Sequence, residues 1–208
     1  MTPRGKFVSL EGGEGAGKST QLQAMAAALR TRGIDVIETR EPGGSPGAEA
    51  IRGLLLGGSD ERWTMAAEAL LFAAARADHV ARTIDPALDA GQWVLCDRFV
   101  DSSLAYQGLA GGLGLDALRA INALAVGKCM PDRTLILMLD AAAERARTRD
   151  GGTSDRIGAR SPAYHDKVDA AFRALAADEP SRVTLVDASG PPGDVTKRLV
   201  EAIADLLP

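Results

Sequence analysis

The amino-acid sequence predicts an α/β protein in which a five-stranded parallel sheet is covered by helices on both faces. Short apolar runs alternate with helical patterns five times along the chain, an order typical of parallel strands joined by crossover helices. The run RTLILMLD (133–140) is uniformly apolar, as expected of a strand with neither face in water. The 208 residues, of which 46% are hydrophobic, suffice for a single domain with a sizeable core.

The predicted elements follow from apolar spacing and from the turn residues between them. Short apolar runs predict strands at 6–12, 34–40, 92–98, 133–140 and 183–188. Apolar residues at helical spacing predict helices at 19–30, 48–56, 62–90, 116–126, 141–148, 164–177 and 195–207. The polar, glycine-rich stretch DGGTSDRIGARS (150–161) is the candidate for a mobile lid.

Composition and charge exclude several classes of protein. A net charge of −4 argues against a basic face that binds nucleic acid. The sequence contains neither a signal-peptide pattern at its start nor an apolar run of membrane-spanning length. Its two cysteines are too few for a disulfide framework, and its two histidines lack partners at metal-binding spacing. We therefore expect a cytoplasmic protein that binds neither nucleic acid nor a membrane.

A glycine-rich stretch, EGGEGAGKST (11–20), lies where the first predicted strand meets the first predicted helix. It contains the P-loop pattern G-x-x-x-x-G-K-[ST]. Glycines let backbone N–H groups surround an anion at the positive end of a helix, and the lysine reaches the outer phosphates. A plain glycine-rich turn is the alternative, but chance rarely gives the whole pattern between a strand and a helix. The residues predicted to bind ATP are Gly12, Gly13, Glu14, Gly15, Ala16, Gly17, Lys18, Ser19 and Thr20.

The third predicted strand ends in Asp97–Arg98, at the sheet edge where α/β proteins bind ligands. Asp97 and the hydroxyl of Ser19 are the predicted Mg²⁺ ligands, and Arg98 is predicted to clamp a second phosphate group. An ordinary surface ion pair is the alternative for the Asp–Arg sequence. Neither the N-K-x-D pattern of GTPases nor the Asp-Glu strand end of motor ATPases is present. We predict a three-layer sandwich of the P-loop NTPase class.

Five motifs, in family order, resemble those of thymidylate kinases. They are FVSLEGGEGAGKST (7–20), TREPGG (39–44), LLFAAAR (70–76), DRFVDSSLAYQG (97–108) and SDRI (154–157). The resemblance implies one nucleoside monophosphate kinase domain over 1–208, with a short lid at about 149–161. It also implies transfer of the γ-phosphoryl group of ATP to dTMP, with Mg²⁺, by a homodimer.

The same resemblance implies how the acceptor dTMP is bound. Phe72 resembles the phenylalanine that stacks on thymine, and Arg76 the arginine that bonds the base's carbonyl edge. Ser103 and Gln107 resemble the residues that read the pyrimidine edge, and Tyr106 the ring that crowds the sugar's 2′ position. Phe72 also fits a core position, since aromatic residues on amphipathic helices usually pack inside. The implied dTMP-binding set is Glu41, Pro42, Arg52, Phe72, Arg76, Arg98, Ser102, Ser103, Tyr106 and Gln107.

Phosphoryl transfer is helped by an arginine that neutralises the transferring group. One branch of the family carries this arginine in the P-loop, and the other branch supplies it from the lid. Residues 13–16 here contain no arginine, so the chain resembles the second branch. Lid arginines could instead be solvated charges at a helix end. Of Arg145, Arg147, Arg149 and Arg156, the last two lie nearest the glycine-rich turn. The predicted catalytic residues are Lys18, Arg98, Arg149, Arg156 and Glu14.

Two other functions remain open from the sequence. The first is a kinase for another monophosphate, such as dUMP, or for a deoxynucleoside. Only a methyl group separates dTMP from dUMP, and one methyl group is worth only about 1–3 kcal/mol. A nucleotide-binding module without catalysis would need no acceptor pocket. The role of Glu11, just before the P-loop, is also open: it fits a group behind the metal or a buried partner of Lys18.

Overall fold

The computed structural model of the protein describes residues 3–139 and 155–208, apart from the side chain of Asp60. Five parallel strands form one sheet in the order β2-β3-β1-β4-β5. The strands are β1 (Phe7–Gly12), β2 (Val36–Arg40), β3 (Trp93–Asp97), β4 (Arg133–Met138) and β5 (Val183–Asp187). The predicted α/β class is confirmed, and each strand lies within the range predicted for it.

The described helices include all but one of those predicted. They are α1 (Lys18–Arg30), α2 (Pro46–Leu56), α3 (Met65–His79), α4 (Asp85–Asp89), α5 (Val100–Ser103), α6 (Leu115–Val126), α7 (Pro162–Asp178) and α8 (Pro192–Glu201). A π-helical turn, Val80–Ile84, joins α3 to α4 without a break. The helix predicted at 62–90 therefore runs from Met65 to Asp89. Short 3₁₀ turns cover Asp60–Arg62 and Ala204–Leu206. The helix predicted at 141–148 and the first part of the predicted lid, residues 149–154, lie outside the described residues.

The segment after β3 is helical, which the sequence did not predict. Here α5 continues into a π-helical segment, Leu104–Ala110. Asp101, Ser103 and Gln107 are polar yet buried, like the apolar residues between them. Because polar and apolar residues are buried alike, the segment lacks the apolar stripe that identifies an amphipathic helix.

Helices cover both faces of the sheet, as predicted for a three-layer sandwich. Val8 and Leu10 of the central strand β1 are fully buried and pack in one cluster with α1 and α8. On the opposite face, Phe7 packs with Phe99 in a cluster that includes the end of the long helix. Beside it, Phe172 of α7 packs in a third cluster that includes residues of α6 and β4. No helix in the described part of the chain is long and apolar enough to cross a membrane.

A buried polar network ties α5 to the sheet beneath the apolar clusters. Both carboxylate oxygens of Asp101 accept hydrogen bonds from Arg182, at 2.8 and 2.9 Å. The Thr134 hydroxyl donates to Asp101 at 2.8 Å and also lies 2.9 Å from the Ser9 hydroxyl. Since Asp101 is completely buried, its charge depends on these partners.

We predict that Asp101→Ala lowers the free energy of unfolding by about 2–4 kcal/mol, because Arg182 loses its buried counter-charge. Urea denaturation of the purified protein measures this change. Asp178→Ala is the matched control, because Asp178 is about half exposed and pairs with Arg119 at the surface. Its cost should stay below about 1 kcal/mol. Equal losses in the two variants would contradict the assigned importance of the buried network.

Candidate active site

The P-loop has the backbone that the glycine pattern predicts. Strand β1 ends at Gly12 and α1 begins at Lys18, and Gly12, Gly15 and Gly17 have φ angles of 135°, 73° and 86°. At Gly12 a Cβ atom would lie 2.5 Å from the Leu137 carbonyl oxygen, so a side chain has no room there. The loop therefore turns tightly against β4 and reaches the positive end of α1.

Lys18 is almost completely buried, and its ammonium group bonds the loop itself. Its Nζ atom donates to the carbonyl oxygens of Gly12 at 3.2 Å and Gly13 at 2.6 Å. Burial, followed by the nearby positive charge of Arg98, lowers the pKa of Lys18 to about 8. A lysine whose charge is poorly solvated gains most from an anion placed beside it.

Ser19 and Asp97, the predicted Mg²⁺ ligands, lie side by side. The Ser19 hydroxyl donates to Oδ2 of Asp97 at 2.7 Å, which brings together the first turn of α1 and the end of β3. A hydroxyl and a carboxylate are the oxygen donors that Mg²⁺ prefers, and Mg²⁺ in kinases is held by few protein ligands plus phosphate oxygens. The described residues contain no cluster of three or more His, Cys, Asp or Glu side chains that could hold a metal. The pair therefore fits a Mg²⁺ ion that arrives with a nucleotide.

Arg98 stands in a backbone conformation that is rare for its residue type. Its φ angle is +70°, in the left-handed region, and no other described non-glycine residue has a positive φ. Two hydrogen bonds hold the turn: the Arg98 N–H donates to the Leu10 carbonyl at 2.9 Å, and the Phe99 N–H donates to Glu11 at 2.7 Å. Such strain persists only where surrounding contacts impose it, and it is common at functional sites.

The guanidinium group of Arg98 lies over the P-loop. It donates to the Gly12 carbonyl at 3.0 Å, to the Ser102 hydroxyl at 3.2 Å and to the Glu14 carboxylate at 3.1 Å. Its central carbon also lies 5.3 Å from the centre of the Tyr106 ring. Arg98 therefore links the P-loop to the helical segment that follows β3.

The charge of Arg98 is well stabilised despite its burial. Burial alone would lower the pKa of the guanidinium. Tyr106 and the carboxylates of Glu14, Asp97 and Glu11 outweigh that effect and raise the pKa above its ordinary value. Arg98 is thus a permanent cation at the point where β1 and β3 end.

The structure resolves the position of Glu11, which the sequence left open. Its carboxylate accepts hydrogen bonds from the Phe99 N–H and the Ser102 hydroxyl, whereas the described hydrogen bonds of Lys18 go to loop carbonyls. Burial and the neighbouring Asp101 raise the pKa of Glu11 to about 8, although its hydrogen bonds and Arg98 oppose the shift. Glu11 therefore lies behind the site and supports the turn that carries Arg98.

A cleft of about 610 Å³ opens over the carboxyl ends of the strands, within the usual size for a ligand site. Seventeen of the predicted site residues line it: Glu14, Gly15, Gly17, Lys18, Ser19, Thr20, Glu41, Pro42, Arg52, Phe72, Arg76, Asp97, Arg98, Ser102, Ser103, Tyr106 and Gln107. Sequence analysis did not single out five further lining residues, namely Arg40, Leu56, Phe99, Asp155 and Ile157. Gly12, Gly13 and Ala16 belong to the P-loop but are not among the residues that line the cleft.

Arg76 reaches the cleft from α3 and is held from several sides. Its Nε donates to Glu41 at 2.7 Å, and its other nitrogens donate to the Ser103 hydroxyl at 3.2 Å, the Phe99 carbonyl at 3.0 Å and the Asn122 side chain. Glu41 is also 3.2 Å from Nδ1 of His79, which is fully buried. Arg76 is only 1% exposed, so these bonds hold its guanidinium group in one orientation at the wall of the cleft.

Phe72 lies one turn before Arg76 on α3, on the same helix face. It is half-buried: it packs against the cluster around Phe172 and also lines the cleft. The sequence left a core position and a site position open for Phe72. The ring combines the two, because one part of it contributes to the core and another part faces the cleft.

Helix α2 supplies a second cation. Arg52 of α2 donates to the Pro42 carbonyl at 2.6 Å, beside a cis Glu41–Pro42 peptide bond. Burial, and then the positive charge of Arg40, lower the pKa of Arg52. Arg52, Glu41 and Pro42 all line the cleft, as the predicted acceptor set requires.

Among the predicted lid arginines, Arg156 lies within the described residues. Arg145, Arg147 and Arg149 lie outside the described residues. Arg156 is buried between α2 and α3, where its Nε donates to the Leu55 carbonyl at 2.9 Å and its guanidinium pairs with Glu68. Its neighbours Asp155 and Ile157 line the cleft instead. Sequence analysis missed Glu68, although it lies four residues before Phe72 and so on the same face of α3.

We predict that Lys18→Met is more stable than the wild type at pH 7, by about 1–3 kcal/mol, because the buried ammonium opposes folding. The unfolded lysine has an ordinary pKa of 10.5 and the folded one about 8, so the unfolded state binds more protons between these values. The penalty is therefore complete below pH 8 and fades as the pH rises towards 10.5. Urea denaturation at pH 7 and pH 9.5 measures it.

The exposed Lys197 provides the control for this prediction. Lys197→Met should leave the free energy of unfolding nearly unchanged at both pH values. A Lys18→Met protein less stable than the wild type at pH 7 would contradict the assigned cost of the buried charge.

Comparison with known proteins identifies one family. The thymidylate kinase family model matches residues 10–199. The chain is 59% identical to a thymidylate kinase from Rhizorhabdus wittichii, over 98% of this chain and 99% of that one. It is 47% identical to a thymidylate kinase from Bradyrhizobium sp., over 98% of this chain and 92% of that one.

A solved structure gives the same result for the fold. The chain superimposes on thymidylate kinase from Ehrlichia chaffeensis with a TM-score of 0.80 and 27% sequence identity, covering 97% of this chain and all of the other. The family match therefore extends over almost the whole chain, including the P-loop and the segments that line the cleft. The protein belongs to the thymidylate kinase family.

Proposed function

We propose that the protein transfers the γ-phosphoryl group of ATP to dTMP, giving ADP and dTDP. The observation that carries this proposal is the continuity of one cleft, which runs from the P-loop lysine to a half-exposed aromatic ring with an arginine beside it. Arg98 lies between these two parts and contacts the P-loop directly. Such a cleft can hold two nucleotides with their phosphates facing each other, and positioning of that kind is most of what phosphoryl transfer requires.

On the donor side, the P-loop and Lys18 bind the phosphates of ATP. The ammonium of Lys18 exchanges its bonds to loop carbonyls for phosphate oxygens, which recovers part of its burial penalty. Ser19 and Asp97 would hold Mg²⁺, which when bound neutralises charge on the phosphates. Glu14, which Arg98 holds at the P-loop, is placed to meet the acceptor.

Arg98 contacts the acceptor phosphate and the transferring group. Its fixed backbone and its contacts with Gly12, Ser102 and Glu14 keep the guanidinium group at the boundary between the donor and acceptor parts. A preorganised cation of this kind stabilises developing charge without reorganising during the reaction. Arg52, beside Pro42, adds a second positive charge on the acceptor side.

On the acceptor side, thymine stacks on Phe72 while Arg76 bonds a carbonyl oxygen of the base. Ser103 and Gln107 read the rest of the pyrimidine edge, and both are buried at the cleft wall. Tyr106 is held beneath Arg98 and limits the space at the sugar's 2′ position. These contacts favour a pyrimidine deoxynucleotide over other monophosphates.

The lid supplies the additional positive charge, with Arg149 and Arg156 as candidates. Arg156 would have to leave the buried carboxylate of Glu68 in order to contact a phosphate, which is costly for both groups. We therefore propose Arg149 as the first candidate for direct contact with ATP, and Arg156 as the residue that fixes the end of the lid.

We also propose that the protein is a homodimer of the cytoplasm, with ATP and dTMP as its ligands and neither nucleic acid nor a membrane as a partner. Leu70 of α3 is 57% exposed and Leu124 of α6 is 90% exposed, on two helices that contact each other. Covering these leucines with a second copy would remove apolar surface from water. The thiols of Cys96 and Cys129 are free and buried, as is usual in a reducing compartment.

The function is tested by following ADP formation with ATP, Mg²⁺ and a panel of monophosphates: dTMP, dUMP, UMP, dCMP, dAMP, AMP and dGMP. We expect turnover mainly with dTMP and more weakly with dUMP. Lys18→Ala should reduce turnover at least about a thousandfold while the protein stays folded by circular dichroism. A folded protein that binds ATP but turns over no acceptor would instead indicate a nucleotide-binding module without catalysis.

We predict that Phe72→Ala raises KM for dTMP at least about tenfold and leaves KM for ATP within about twofold, because stacking on the base is lost. Steady-state kinetics with each substrate varied in turn measures both constants. Leu185→Ala, at an exposed position of β5 outside the residues that line the cleft, is the control and should alter neither constant. Equal increases in both constants for Phe72→Ala would assign the ring to the core alone.

A further inference from the structure

A buried carboxylate lies directly behind the acceptor side of the cleft and belongs to no predicted site. Glu68 of α3 is fully buried, and three side chains donate to it. Nε2 of Gln107 donates to Oε1 at 2.8 Å, whereas Arg160 at 2.8 Å and Arg156 both donate to Oε2. The two guanidinium groups compensate the burial of the negative charge, and each oxygen has its own set of donors.

This arrangement fixes the orientation of the Gln107 amide. A carboxylate only accepts hydrogen bonds, so the NH₂ group of Gln107, and not its carbonyl oxygen, must face Glu68. The carbonyl oxygen of Gln107 therefore lies on the side of the amide that faces away from Glu68. Gln107 is only 2% exposed and lines the cleft, so its side chain stays in this position, and rotation about the terminal bond of the amide can only exchange its oxygen and nitrogen.

We propose that Glu68 is a positioning residue that selects the acceptor base by holding the Gln107 carbonyl oxygen towards it. This inference rests on the proposed function, in which Gln107 reads the pyrimidine edge. Thymine and uracil carry a hydrogen on N3 and can donate to a carbonyl oxygen. Cytosine has an unprotonated N3 that only accepts, so the fixed carbonyl oxygen rejects it.

The same geometry predicts what happens when the carboxylate becomes an amide. In Glu68→Gln, the introduced carbonyl oxygen must face Arg156 and Arg160, since both guanidinium groups only donate. The introduced NH₂ group then faces Gln107, which can satisfy it only by turning its own carbonyl oxygen inwards. Gln107 consequently presents its NH₂ group to the base, and that group matches N3 of cytosine instead of N3–H of thymine.

The test compares dissociation constants of dTMP, dUMP and dCMP for the wild-type protein and Glu68→Gln by isothermal titration calorimetry. We expect dTMP and dUMP to weaken by similar factors and dCMP to bind more tightly, which shifts the dTMP/dCMP preference at least about tenfold. A purely structural role for Glu68 cannot improve dCMP binding. Asp101→Asn, another fully buried acid paired with an arginine, is the matched control and should leave the ratio unchanged.

A double-mutant cycle identifies the route of the effect. Gln107→Leu should itself lower the dTMP/dCMP preference, and adding Glu68→Gln to it should change the ratio no further. Glu68→Asp is the second variant, since it keeps the negative charge for both arginines but withdraws the carboxylate by one methylene group. Glu68→Asp should lower the preference for dTMP without improving dCMP binding. It also keeps the inference testable if Glu68→Gln does not fold.

Several results would overturn the inference. Equal weakening of all three nucleotides in Glu68→Gln, an unchanged ratio in Glu68→Asp, or additive effects of Glu68→Gln and Gln107→Leu would each do so. An unchanged ratio in Gln107→Leu would also overturn it, but would leave the proposed phosphorylation of dTMP intact. Absence of dTMP turnover by the wild-type protein would instead refute the proposed function, so the two failures can be distinguished.

Discussion

The site depends on one buried contact, the pair of hydrogen bonds that Glu11 accepts from the Phe99 N–H and the Ser102 hydroxyl. Strands β1 and β3 are parallel neighbours, so both chains leave the sheet at the same edge. Glu11, one residue before the end of β1, fastens the chain that leaves β3 in a turn that Arg98 would not adopt alone. The strained turn in turn directs the Arg98 guanidinium back over the P-loop.

Two buried acids hold polar side chains that line the cleft. Glu41 bonds Arg76, and Glu68 bonds Gln107 together with two arginines from the end of the lid. Buried ion pairs of this kind contribute little net stability, because desolvation offsets their attraction. What they fix is orientation: the guanidinium of Arg76 and the amide of Gln107 are each held in one orientation at the cleft, so little ordering remains to be done when a ligand binds.

The P-loop lysine, in contrast, lowers the stability of the fold. Lys18 is buried among backbone carbonyls, so its charge opposes folding and its pKa falls. That penalty exists because the loop excludes water, and the same exclusion strengthens the attraction between the ammonium and a phosphate. The apolar cluster that α1 and α8 form with the sheet, which includes Met25 and Leu29, provides stability that offsets this penalty.

The sequence by itself determined the α/β class, the five strands, the P-loop and most of the residues that line the cleft, because these follow from local patterns and from motifs with fixed spacing. It did not determine the helix over residues 100–110, whose polar residues are buried and leave no apolar stripe. Nor did it assign Glu11, or identify Glu68. A buried acid has no local signature: its role depends on which donors the fold brings to it, and the donors of Glu68 lie 39, 88 and 92 residues away. Only the tertiary structure decided those contacts.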